Sequence, residues 1–235
     1  MTKMLINGCS FSRGPGSWPY HLDYDITNLA CAGAGNTYIA QATITELSRR
    51  SYDAVTIMWT APHRVDMQVG YPQKFADSAY TSAYQRTRND WPEKIVEPVN
   101  DQDFVEPNWV FGCGHVNGES AVVNSGAFRG IYTYQRDPEF EQNFSFLLIS
   151  VQNTLKQLNI PYLFTFYHPY FNHLCHWDLF GLVDTESIYT STNIWDIVQT
   201  NGWYDTDGFH PNTLAHAAWA QTIQTIWQQK LTQQI

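Results

Sequence analysis

A serine near one end of this chain and an aspartate–histidine pair near the other have the residue types of a proton relay. The first segment is Gly8-Cys9-Ser10-Phe11-Ser12, directly after a short apolar run. The second is Asp207-Gly208-Phe209-His210-Pro211, directly before a final amphipathic stretch. A serine hydroxyl is a poor nucleophile until a neighbouring base takes its proton. His210 is the candidate base, and it would later protonate the leaving group. Asp207 precedes it by three residues in a turn. Its carboxylate can fold back to Nδ1 of the same imidazole, which fixes the tautomer and stabilises the imidazolium. Each residue also has a plainer reading: Ser10 as a turn residue, Asp207 and His210 as caps of the last helix. Cys9 is a second nucleophile candidate, since Cys–His pairs do the same chemistry, although a small, soft residue also packs well at a strand end.

Two further blocks lie between these segments. Asn28-Leu29-Ala30-Cys31-Ala32-Gly33 spans the end of an expected second strand and the loop after it, and Trp59-Thr60-Ala61-Pro62-His63-Arg64 begins at the last residue of a third. With the four blocks in this order, the chain resembles the SGNH (GDSL-type) hydrolase family. That family carries Gly-Asp-Ser-x-Ser after its first strand, and here Cys9 stands in place of the Asp. The resemblance implies Ser10 as nucleophile and Asp207 and His210 as its partners. It also implies the backbone N–H of Gly33 as an oxyanion donor beside that of Ser10. The family's third block is Gly-x-Asn-Asp, and its asparagine is missing here. The side-chain amide of Asn36 is the first replacement to consider, with Thr60 and Arg64 behind it. Asn36 also suits a plain helix N-cap, Gly33 and Gly35 suit plain turns, and Arg64 suits an ion pair as well as a substrate anchor. One missing oxyanion donor typically costs about 100- to 1000-fold in turnover.

The elements that must position these residues follow from periodicity. Residues 4–8 form a short apolar strand ending in a glycine turn, and residues 25–30 a second strand leading into a small-residue loop. Residues 37–50 read as a helix with Ile39, Ala42, Ile44 and Leu47 on one face. Residues 54–59 are a nearly continuous apolar strand, as suits a parallel sheet covered on both faces. Residues 138–158 form another helix, residues 160–167 another strand, and the last helix runs from Asn212 or Thr213 to about residue 231. This alternation predicts an α/β fold. The resemblance makes it a three-layer, flavodoxin-like single domain with a mostly parallel five-stranded sheet. Residues 65–136 have no long period and are too long for an ordinary connection. They read as an irregular insertion packed on or near the site.

Composition bounds the rest. The 235 residues suit one domain with a substantial core. A formal charge of −9 argues against a nucleic-acid binder and against binding to anionic membranes. Aromatic residues make up 15% of the chain, equal to the charged share. They suit either a bulky core or exposed rings that stack on a sugar. The four cysteines form no CxxC pair, so no zinc site is expected. His168, His173, His176 and Asp178 resemble a metal cluster, but their spacing fits no helical i, i+4 pair, and no metal or cofactor is expected. Asp205 and Asp207 as a two-carboxylate glycosidase pair have no other support in the sequence. No signal-like leader or long apolar span is seen, so a soluble cytoplasmic protein is expected.

The expected function is hydrolysis of a small acyl ester by a Ser-His-Asp relay, with an O-acetyl carbohydrate as the class suggested by family and aromatic content. The rival expectations are a catalytically weak glycan-binding or assembly protein, and an acyltransferase. Oligomeric state is not legible in the sequence.

Overall fold

Residues alternate sides along each central strand, and this alternation builds two separate cores. In β1 (Lys3–Asn7), Leu5 faces one side while Met4 and Ile6 face the other. In β3 (Ala54–Trp59), Val55, Ile57 and Trp59 share the face of Leu5, and Ala54 and Met58 share the face of Met4. Strands buried on both faces are the mark of a sheet with helices on either side. The computed structural model describes residues 1–62, 64–69, 108–112, 137–169, 171 and 178–232.

The main sheet has the order β2–β1–β3–β6, where β2 is Asp25–Asn28 and β6 is Tyr162–Phe166, and every pair is parallel. Helices α1 (Asn36–Arg49) and α2 (Asp137–Gln157) cover one face with Ile39, Leu47, Phe144, Leu148, Val151 and Leu155. Helices α3 (Ile194–Asn201) and α4 (Thr213–Thr232) cover the other with Ile194, Trp219, Ile223 and Trp227. Trp227 is fully buried, and its indole N–H donates to the Thr56 hydroxyl at 2.8 Å, which ties α4 to β3 through the only polar atom of that ring.

The three-layer α/β expectation holds, with one correction. Among the described residues the sheet has four strands rather than five. Beyond β6, Ile188 makes a single parallel bridge to Phe164, backed by the Tyr189 N–H donating to the Phe164 carbonyl at 2.9 Å. A 3-10 turn at Thr185–Ser187 ends just before it, and Asn193 caps α3 soon after, so no ladder can extend.

Helix α3 was not foreseen in the sequence, though its signals are present. Asn193 and Asp196 form a capping box, and Gly202 closes the helix in the left-handed region at φ +67°. Of the expected 65–136 insertion, the described residues are an antiparallel pair, β4 (Val65–Val69) with β5 (Asn108–Gly112). The remainder of that expectation, and His173 and His176, lie outside the described residues. Among the described residues, no helix is long and apolar enough to cross a membrane, and no group of three metal-ligating side chains occurs.

Candidate active site

Ser10 opens a single 3-10 turn, Ser10–Ser12, at the C-terminal end of β1. The turn is tight because Gly8 allows it: a Cβ there would lie 2.6 Å from the Ser12 hydroxyl oxygen. Ser12 is fully buried and acts as a post. Its hydroxyl accepts the Trp18 indole N–H at 3.0 Å, and its carbonyl accepts from Asn28 Nδ2 at 2.8 Å and from the Ser17 hydroxyl at 3.0 Å. Three residues before the turn, buried Asn7 accepts the Gly8 N–H at 2.8 Å and donates to the Ile39 carbonyl and the Thr43 hydroxyl of α1. The backbone around Ser10 is therefore held by buried hydrogen bonds on both sides, while Ser10 itself is only partly buried.

The histidine arrives from the far end of the chain. His210 Nε2 lies 2.9 Å from Ser10 Oγ, across 200 residues of sequence. Its Nδ1 is hydrogen-bonded to Asp207 Oδ2. The other oxygen, Oδ1, accepts the backbone N–H groups of Phe209 at 2.9 Å and His210 at 2.8 Å. The bond to His210, followed by those two N–H donors, lowers the Asp207 carboxyl to about pH 2. The loop is a closed turn: Tyr204 bridges Pro211, the Asp205 N–H donates to the His210 carbonyl at 2.7 Å, and Gly208 takes φ +70°. Neither Asp207 nor His210 caps α4. Asn212 does so, accepting the N–H groups of Leu214 and Ala215. Asp205 accepts the Thr206 N–H and so braces the turn.

Aromatic rings fix the imidazole from the sides. Phe209 meets it edge-on at 5.2 Å between centroids, and Phe11 lies at 5.3 Å. Phe11 also packs on Tyr167 at 4.6 Å, while partly exposed Trp195 touches Phe209 and Tyr204. The relay remains open to water, with the His210 side chain 37% exposed and that of Asp207 48% exposed. Ion pairing at such a site is screened, so hydrogen-bond geometry matters here more than charge.

The remaining sequence candidates fall in different places. Gly33 takes φ +79° in the loop entering α1, a conformation that favours glycine. That loop is tied to the Ser10 turn by the Cys31 N–H donating to the Gly8 carbonyl at 3.1 Å. Asn36 departs from both of its expected roles. Gly35 is the N-cap of α1 and Asn36 is its first residue. Its amide donates to the Thr60 and Ala61 carbonyls at 3.1 and 3.2 Å, and its Oδ1 accepts the Thr60 N–H at 3.0 Å. Asn36 is 2% exposed. A side chain so enclosed, with its amide nitrogen committed to two carbonyls, is not presented to an oxyanion. It is a splint between the start of α1 and the end of β3. Thr60 is fully buried, which removes its side chain from contact with a substrate. Cys9 is also fully buried among core residues, so the imidazole meets Ser10 and not the thiol. Arg64 is partly buried at the site's edge, with Nη1 3.4 Å from the Ala34 carbonyl and its guanidinium 5.6 Å over the Tyr167 ring.

Asp66 was missed in the sequence. It is 9% exposed and accepts the N–H groups of Gly35 at 2.7 Å and Tyr38 at 2.8 Å. Burial pushes its carboxyl up to about pH 7, against the pull of those N–H donors and of Arg64. The signal for it, an acid in an irregular segment, has no periodicity to mark it.

No protein-family model and no curated protein matches this sequence. Solved structures do resemble it. One is the psychrotrophic esterase EstA from Pseudoalteromonas sp., in a structure inhibited by monoethylphosphonate. It is 11% identical, the match covers 99% of this chain and 100% of that one, and the TM-score is 0.51. This likeness is one of fold. The structure of TesA is 13% identical, with 94% and 95% of the two chains covered and a TM-score of 0.48. The α/β architecture is thus shared along nearly the whole length of EstA.

Proposed function

We propose that the protein is a serine ester hydrolase that uses Ser10 as nucleophile, His210 as base and Asp207 to orient the imidazole. The observation that carries this reading is the 2.9 Å contact between His210 Nε2 and Ser10 Oγ. In the proposed mechanism Nε2 takes the hydroxyl proton as Oγ attacks the ester carbonyl carbon. The tetrahedral oxyanion is met by the backbone N–H groups of Ser10 and Gly33. The imidazolium then gives its proton to the leaving alkoxide, leaving an acyl-serine. Water, deprotonated by the same imidazole, attacks the acyl carbonyl, and collapse of the second intermediate returns the proton to Ser10 Oγ. Asp207 stays ionised throughout, consistent with its lowered carboxyl.

A small acyl group is the favoured substrate, with an O-acetylated carbohydrate as the leading class. The partly exposed rings of Trp195, Tyr204 and Phe209 beside His210 support it, since such rings offer flat contact area to a sugar. Arg64 and the main chain near Ala34 would border the other side. One observation favours a second reading, a binding or assembly protein with feeble turnover. The amide of Asn36 is spent on the Thr60–Ala61 main chain, and Pro62 stands near the place of the family's asparagine, so two backbone donors are left for the oxyanion.

Labelling with a fluorophosphonate, with the adduct located by mass spectrometry, separates the two. The hydrolase reading expects an adduct on Ser10, lost in Ser10→Ala and in His210→Ala, together with turnover of p-nitrophenyl acetate. Absence of both label and turnover in the unaltered protein would falsify it. Acyl transfer is distinguished by adding a sugar acceptor and measuring acylated acceptor against free acid.

A further inference from the structure

The loop that carries Gly33 is anchored at both of its ends. On one side the Cys31 N–H is held by the Gly8 carbonyl at 3.1 Å. On the other, Asp66 holds the N–H groups of Gly35 and Tyr38, and Arg64 Nη1 approaches the Ala34 carbonyl at 3.4 Å. The contact with Asp66 is close enough to require glycine: a Cβ on Gly35 would lie 2.7 and 2.8 Å from the two carboxylate oxygens and 2.8 Å from the Arg64 carbonyl. Gly33 lies between the two anchors, so its main chain is held from both sides.

We propose that Asp66 is a positioning residue for the reaction. It accepts the Gly35 and Tyr38 N–H groups and thereby aims the Gly33 N–H at the oxyanion, coupling strand β4 of the 65–136 segment to turnover at Ser10. The inference rests on the hydrolase reading above. Its physical basis has two parts. A carboxylate at the first turn of a helix satisfies N–H groups that have no partner within the helix and is favoured by the helix dipole. An oxyanion donor is effective only when it is preorganised, and a misplacement of about 1 Å can cost roughly 100-fold. Burial raises the Asp66 carboxyl to about pH 7, and the Tyr38 and Gly35 N–H groups and Arg64 pull it back toward the charged form that accepts those bonds.

The test compares Asp66→Ala, Asp66→Asn and Gly35→Ala, first counting competent sites by the final stoichiometry of fluorophosphonate labelling. Positioning predicts full stoichiometry, an unchanged KM for p-nitrophenyl acetate, and kcat per labelled site lowered about 100-fold in Asp66→Ala. Asp66→Asn, which keeps one acceptor, should recover part of that loss. Gly35→Ala, whose Cβ would meet both the Asp66 carboxylate and the Arg64 carbonyl, should also lower kcat per labelled site. A purely structural role would instead lower the melting temperature and the number of labelled sites while leaving kcat per site as in the unaltered protein. That result overturns the proposal. Should Asp66→Ala fail to fold, Asp66→Asn with unchanged kcat per site overturns it equally. If the unaltered protein neither labels nor turns over, the hydrolase reading itself fails and takes the proposal with it.

Discussion

Asp207 divides its two oxygens between different tasks. Oδ2 meets the imidazole, and Oδ1 collects the N–H groups of Phe209 and His210. An asparagine has one acceptor for these two duties. Its NH2 must face either the backbone donors or His210 Nδ1, and in the second case it selects the wrong tautomer. Asp207→Asn is therefore expected to lower kcat for p-nitrophenyl acetate about 10,000-fold with little change in KM. A loss smaller than tenfold would mean that the rings of Phe11 and Phe209 suffice to orient the imidazole. The same scale explains why Ser10 and Asn36 differ in legibility. Ser10 and His210 could be picked out by type and neighbours. Asn36 could be picked out too, but a side-chain amide has donors and an acceptor that suit a backbone as well as an oxyanion, and nothing local says which it will meet.

At the scale of elements, α4 contributes more than a packing face. His216 lies on its first turns, 8% exposed and near His210. Burial, followed by the charges of His21 and His210, lowers it to about pH 4 from an ordinary 6.5. Between those values the unfolded chain binds a proton that the folded one refuses. Stability must therefore fall as pH drops from 6.5 toward 4, and this penalty is absent above 6.5. Replacing His216 with Gln should flatten that part of the melting temperature–pH curve, measured by circular dichroism between pH 4 and pH 7.5. An equally steep curve in the variant would place the acid sensitivity elsewhere. Most elements were legible because their signals are local. The apolar run of β3 and the spaced Phe144, Leu148, Val151 and Leu155 of α2 mark a buried strand and a one-faced helix. Helix α3 escaped notice because it is only eight residues long, so Ile194, Trp195, Ile197 and Val198 span too few turns to show a period, and its capping box was its main signal.

For the whole molecule, the candidate site exists only while both ends of the chain are docked on the sheet. Ser10 hangs from β1, and His210 is placed by the closed turn before α4, whose Trp219, Ile223 and Trp227 fill the core under β1 and β3. Loss of either core separates the Ser10–His210 pair. In urea, fluorophosphonate labelling at Ser10 and far-UV circular dichroism should decline together, with the same midpoint. Labelling that disappears at clearly lower urea would show that the His210 turn detaches before the core unfolds.

The parts are written in local residues: a serine at a strand–turn junction, an Asp-x-x-His turn before a last helix, and the strand and helix periods that specify an α/β chain. These depend on residues within a few positions of one another, which is the range over which periodicity, capping and turn chemistry act. The tertiary structure alone decided the partners. It brought His210 to Ser10 across 200 residues, turned Asn36 onto Thr60 across 24, and set Asp66 against Gly35 across 31. Those pairings follow from strand order and from how two helical layers close on the sheet. A polar side chain buried by that closure must bond to whatever groups the fold presents to it.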